Sequence, residues 1–198
     1  MKDGFGRSIE YLRISVTDRC NFRCVYCMPE HGLEWIPRDE ILTAQEIQDV
    51  VAQLAPLGLA RIRITGGEPT IRPDLCDIIA RINGVDGVTD IALSTNGHLL
   101  DRWAAPLRAA GVDRLNVSLD SLDPRTFRAL TGGGDLARVL AGLEAAAEAG
   151  FRAIKINTVA IKGVNDGEVA AICGFAWARG FVPRFIEEMP MAAGRTSH

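Results

Sequence analysis

Three cysteines spaced C-x3-C-x2-C, Cys20-Asn-Phe-Arg-Cys24-Val-Tyr-Cys27, directly follow an alternating stretch, Tyr11-Leu-Arg-Ile-Ser-Val-Thr17. Thiolates this close in one loop suit a soft metal centre, because a single turn of backbone can aim all three at one point. Three sulfurs do not complete a tetrahedral site. A four-iron cluster held this way keeps one iron without a protein ligand, and that open position is where chemistry can happen. Two plainer readings stay open at this point. Zinc could add His31, in C-x3-H spacing from Cys27, as a fourth ligand, or two cysteines could pair as a disulfide and leave a spare thiol.

Other chemistry-bearing residues recur where strands end. Thr65-Gly-Gly-Glu-Pro69 closes one β-rich run and Ser94-Thr-Asn-Gly97 another. Paired glycines let backbone approach a neighbour or ligand closely, and Glu68 could accept from an ammonium group. Alternation along the strands adds a set of cations. Arg13 opposes Leu12 and Ile14, Arg61 and Arg63 oppose Ile62 and Ile64, and Lys155 opposes Ile154 and Ile156, with Arg184 expected to join them. A buried face with five cations is expensive to desolvate unless it holds anions, which favours a polyanionic ligand. The competing reading is a network of internal ion pairs with Asp120, Glu187 and Glu188.

The elements that must position these residues alternate short β-branched runs with helical patterns, the mark of βα units around a parallel sheet. Strands are expected at 11–17, 61–66, 89–95, 114–120, 153–160 and 182–188. Five helices are expected between and after them. The first opens with a Thr43–Glu46 capping box and the second at Pro73; the third covers about 100–110, and the last two carry Leu136–Leu143 and Val169–Ala176. Cys76 and Cys173 fall within two of these helices and read as buried small side chains. Six strands are too few to close an eight-stranded barrel. The expected fold is α/β, a partial (β/α)6 TIM-like barrel in one domain, 1–198, with its site at the C-terminal ends of the strands.

Composition bounds the function. Hydrophobic residues at 47% and charged ones at 24% are ordinary for a globular protein. A net charge of −3 gives no global attraction to nucleic acid or an anionic membrane, and neither is expected as a partner. No run approaches membrane-spanning length, and five cysteines then point to a reducing cytoplasm.

Taken together, these motifs resemble the radical S-adenosylmethionine (SAM) enzymes, and within them the GTP 3′,8-cyclase family of molybdenum cofactor biosynthesis. The resemblance rests on Tyr11–Cys20, Ile62–Pro69, Ser94–Gly97, Asn116–Ser121, Lys155–Val159 and Arg184–Pro190, which span nearly the whole chain. It implies a [4Fe-4S] cluster on Cys20, Cys24 and Cys27, and SAM contacts from Tyr26, Gly67, Glu68, Ser118 and Met189. It implies GTP contacts from Arg13, Arg63, Ser94 and Lys155, to which the strand alternation adds Arg61. It also implies an electron donor such as flavodoxin or ferredoxin, and cleavage of SAM followed by rearrangement of GTP to 3′,8-cyclo-7,8-dihydro-GTP. The family carries a further C-terminal region with a second three-cysteine cluster and a Gly-Gly tail, which residues 1–198 do not contain. An N-terminal part of a longer enzyme or a shortened relative is therefore expected. A radical SAM enzyme with another substrate, or a non-catalytic iron–sulfur module, stands as the alternative.

Overall fold

A computed structural model describes residues 2–29 and 34–188. His31 and Met189, singled out above, lie outside the described residues. Six strands form one all-parallel sheet: β1 Tyr11–Ser15, β2 Arg61–Thr65, β3 Asp90–Thr95, β4 Arg114–Ser118, β5 Ala153–Ala160 and β6 Val182–Glu187. Their spatial order is the chain order, β1-β2-β3-β4-β5-β6. That order decides the architecture. Right-handed crossovers that never reverse direction put every helix on one side, so the sheet must curl into a partial barrel instead of lying flat between two helix layers.

The helices are α1 Ala44–Leu54, α2 Leu75–Asn83, α3 Leu100–Ala110, α4 Pro124–Thr131, α5 Leu136–Glu148 and α6 Val169–Ala178. The Thr43–Glu46 capping box forms at the start of α1. Helix α2 starts two residues later than Pro73, and its N-cap Asp74 pairs with Arg72 at 2.8 Å and makes no cap bond. Five of the helices match the expected pattern; α4 does not appear in it. Asp123 accepts from Thr126 N–H and Pro124 occupies the first turn, both helix-start signals, but eight residues are too few to display a period.

Outward-facing Ile62, Ile64, Ile91, Leu93, Leu115, Ile154 and Ile156 are buried against the helices, as alternation requires. Cys76 and Cys173 are half-buried, not buried as expected. Cys76 touches the core from its edge, since Leu75, Ile78, Ile79 and Ile82 take the inner stripe of α2. The opposite, concave face carries the polar residues. Strand register stacks them in rows: Arg13, Arg63, Ala92 and Arg114 in one, Ser94, Asn116 and Lys155 in the next, Ser118, Asn157 and Arg184 in a third.

Candidate functional site

The cysteine loop is held from both sides by backbone. On one side Gly67 N–H donates to Thr17 O at 2.7 Å and Glu68 N–H to Arg19 O at 2.8 Å. Only glycine permits this approach, because a Cβ on Gly67 would lie 2.2 Å from Arg19 O. On the other side the end of α4 receives the loop: Arg23 N–H donates to Thr131 O and Val25 N–H to Leu130 O, both at 2.9 Å. Gly132 follows α4 in the left-handed region at φ 66°, and a Cβ there would meet Arg23 O at 2.5 Å. Between the two clamps, Phe22 is buried edge-on against Phe127 and His98, with ring centroids 6.1 and 5.3 Å away. Helix α4 is thus one of the two walls that fix the loop, a role no periodicity announces.

The loop opens onto a cavity of about 240 Å³. Cys20, Cys24 and Cys27 line it together with Tyr26, Gly67, Glu68, Ser94 and Ser118, so four sequence-distant motifs meet at one place. Among the lining residues to which sequence reasoning assigned no site role, Asn96 and Asp120 make polar contacts with the cysteine loop. Asn96 reaches Asn21 Oδ1 at 2.8 Å and Cys20 Sγ at 3.9 Å. Asp120 accepts from the Tyr26 hydroxyl at 2.6 Å. Its strand exit beside Ser118 was visible in the chain, but the pairing with Tyr26 exists only in three dimensions.

All five cysteines are free thiols. Among the described residues, no three His, Cys, Asp or Glu side chains gather closely enough to hold one metal ion. The thiols rim the cavity instead of converging on a point. A soft donor set around a space of this size fits a multi-iron group. Burial pushes the Cys24 thiol up to about 12, with the Asp120 charge adding to it, and burial also raises Cys20. A bound cation reverses that preference and draws off the protons, so metal capture here releases protons.

Glu68 is buried and already engaged. Its Oε1 accepts from Thr70 N–H at 3.1 Å and from the hydroxyls of Thr70 and Thr95 at 2.6 and 2.7 Å, and its Oε2 accepts from Asn96 N–H at 2.6 Å. It ties the exit of β2 to that of β3. Only Oε2 keeps acceptor capacity toward a ligand.

The cations divide into two groups. Arg114, absent from the five cations read from sequence, pairs with Asp90, and half-exposed Arg61 lies 3.7 Å from Glu10. Arg13, Arg63, Lys155 and Arg184 form no ion pair among the described residues. The Nε of Arg63 is buried without a hydrogen-bond partner, and its guanidinium lies 5.5 Å from the Tyr11 ring. Burial, then Arg184, Arg114 and Arg63, hold the Lys155 ammonium below its ordinary value, with Asp90 partly opposing them. Asp120, a counter-ion in the competing ion-pair reading, is instead committed to Tyr26 and to Val159 N–H at 2.8 Å. The concave face thus carries four cations that form no ion pair among the described residues, which suits the binding of an anion.

A model of the Radical SAM superfamily matches residues 14–176. The chain is 50% identical over 189 residues to GTP 3′,8-cyclase 1 of Pseudomonas aeruginosa, covering 96% of this chain and 57% of that protein. It is 48% identical over 201 residues to the GTP 3′,8-cyclase of Pelotomaculum thermopropionicum, covering 98% and 62%. The chain thus spans less than two thirds of the length of these curated relatives. Among solved structures, Streptococcus suis SuiB bound to S-adenosylmethionine superposes with a TM-score of 0.75 at 18% identity, over 92% of this chain and 41% of that one.

Proposed function

The chain belongs to the radical SAM superfamily, and on that premise we propose that it binds a [4Fe-4S] cluster and SAM and acts on GTP, forming 3′,8-cyclo-7,8-dihydro-GTP. The observation that carries this reading is a shared sheet face, on which Ser94 and Ser118 of the cavity stand in the same rows as Lys155 and Arg184. Three thiols and the Gly66–Glu68 exit loop line that cavity, and cations without an ion pair among the described residues share the concave face.

Cys20, Cys24 and Cys27 would hold the cluster, and Tyr26, Gly67, Ser118 and Met189 would contact SAM. Glu68 would receive the SAM amino group on Oε2, its other oxygen being occupied. When bound, the cluster supplies the single electron that splits the sulfonium bond of SAM, which starts the attack of a GTP ribose carbon on the guanine ring. Everything else falls to the chain. Arg13, Arg63 and Lys155 would hold the triphosphate by charge-assisted hydrogen bonds, and Ser94 would contact the nucleotide beside them. Arg61 would contribute least, because Glu10 already faces it. The two backbone clamps keep the cysteine loop fixed against the strand exits, and the closely lined cavity excludes water and stray hydrogen donors. Cys27 is the most exposed of the three thiols, so a flavodoxin- or ferredoxin-like electron donor would approach from its side.

The test is anaerobic reconstitution with iron and sulfide, followed by incubation with SAM, dithionite and GTP. The reading requires 5′-deoxyadenosine and a cyclised guanosine product. SAM cleavage that GTP neither stimulates nor follows into product would assign the chain to another substrate. Iron binding with no SAM cleavage would make it a non-catalytic module.

A further inference from the structure

Asn116 sits in mid-strand of β4, between Ser94 of β3 and Lys155 of β5 in the same row of the concave face. It is 3% exposed. Its amide Nδ2 points at Leu93 O, 3.4 Å away, and that carbonyl fixes the orientation, since the reverse would set two acceptors against each other. The amide Oδ1 is buried and has no hydrogen-bond partner. A buried carbonyl oxygen is rarely left unmatched, and one on a ligand-facing strand row is a candidate contact for a bound molecule.

We propose that Asn116 Oδ1 accepts a hydrogen bond from a sugar hydroxyl of the bound nucleotide, and so selects ribonucleotides over their deoxy forms. The proposal rests on the nucleotide reading above. The missing partner must be a donor, which rules out phosphate oxygens at this position. Position along the sheet does the rest. Two residues toward the start of β4 is the row of Arg13, Arg63 and Arg114. Two residues toward its end is Ser118, on the wall of the cysteine-lined cavity. A nucleotide with its phosphates on the cations and its reacting carbon toward the cysteines carries its sugar between those levels, at Asn116. A second unmatched group agrees. Arg63 Nε, a donor, is also buried without a partner on the same face, two strands away. Two interstrand spacings and a two-residue offset along the strands separate their Cα positions by about 12 Å. A ligand completing both offers acceptors at one end and a donor at the other, as phosphates and ribose hydroxyls do.

The experiment is calorimetric titration of the anaerobically reconstituted, SAM-loaded 198-residue chain with GTP, 2′-deoxy-GTP and 3′-deoxy-GTP. One of the two deoxynucleotides should bind about tenfold or more weaker than GTP, because a site built around a hydroxyl leaves its own polar group unpaired when the hydroxyl is missing. Asn116→Ala should lose the same factor for GTP and almost none for that deoxynucleotide, so discrimination collapses. Arg63→Ala should weaken all three nucleotides alike and keep their ratio. Equal binding of all three by the unaltered chain would overturn the proposal, even if Asn116→Ala failed to fold. Persistent discrimination in Asn116→Ala would overturn it as well. Failure of the unaltered chain to bind GTP at all would remove the nucleotide reading itself, a result distinct from binding without discrimination.

Discussion

The Tyr26 hydroxyl donates to Asp120 Oδ2 at 2.6 Å, joining the middle of the cysteine loop to the exit of β4, 94 residues away. Asp120 Oδ1 accepts from Val159 N–H, and buried Asn165 donates to the carbonyls of both Asp120 and Val159 at 2.7 and 2.9 Å. The residue between two cysteines is thereby anchored to two neighbouring strands. Burial pushes both partners up, the Asp120 charge raising Tyr26 further, so the hydroxyl stays a proton donor.

This anchoring can be measured without any metal. Tyr26→Phe removes the donor and leaves Asp120 Oδ2 buried and unmatched, which costs about 1–3 kcal/mol. Asp120→Ala removes two acceptors at once and strands Val159 N–H. In urea unfolding of the metal-free chain the two losses should overlap, the double variant being clearly less destabilised than the sum. Strict additivity would mean the pair contributes nothing as a unit.

Gly67→Ala should fail for a reason internal to the protein. Its Cβ would meet the backbone of Arg19 at 2.2 Å, so the cysteine loop must move whether or not a ligand is present. We expect a lowered melting temperature in the metal-free chain and poor iron incorporation. Gly174→Ala is the control: this glycine lies within α6 and an added Cβ meets nothing within 4 Å. Alanine there should stabilise by about 0.4–1 kcal/mol. A Gly67→Ala chain as stable as the original would disprove the close-contact account.

How legible this was in the chain depends on the range of each interaction. Alternation about Ile62 and Ile64 exposes the strand faces, and Thr43–Glu46 marks a helix start, because both signals are local. Helix α4 escaped because Phe127 and Leu130 are its only two large apolar residues, too few to set a period. Its use as a wall for the cysteine loop depends on backbone bonds from Arg23 to Thr131, a contact between distant segments. Register hid the rest. Arg114 and Asp90 share a face by alternation, but only strand alignment reveals that they neutralise each other and leave Arg63 and Lys155 charged.

Iron content should separate the five cysteines cleanly. Replacing Cys20, Cys24 or Cys27 with Ala should abolish an oxygen-sensitive four-iron chromophore, since each lines the cavity. Cys76→Ala and Cys173→Ala should keep it, because those thiols lie on α2 and α6. Stoichiometric zinc without iron in protein purified without air would return the site to a single-ion reading.

Lys155 links ligand binding to stability with a defined sign. Burial first, and then Arg184, Arg114 and Arg63, pull its ammonium below the ordinary 10.5. A depressed folded-state value means the folded chain resists this proton more than the unfolded chain does. Charging Lys155 therefore lowers stability at every pH below its folded value, and the penalty is relieved as pH rises through that value toward 10.5. Lys155→Met, which keeps the stem and removes the charge, should make the ligand-free chain more stable at neutral pH. The same variant should bind GTP about tenfold or more weakly, having lost a charge-assisted contact to phosphate. A bound triphosphate returns the counter-charge and raises the ammonium again, so binding at alkaline pH should take up protons and weaken as Lys155 deprotonates. Urea unfolding with and without GTP, and calorimetry in two buffers of different ionisation enthalpy, read both effects. A Lys155→Met chain that is less stable without nucleotide would mean that the protein itself already satisfies this ammonium, and the concave face would lose its standing as an anion site.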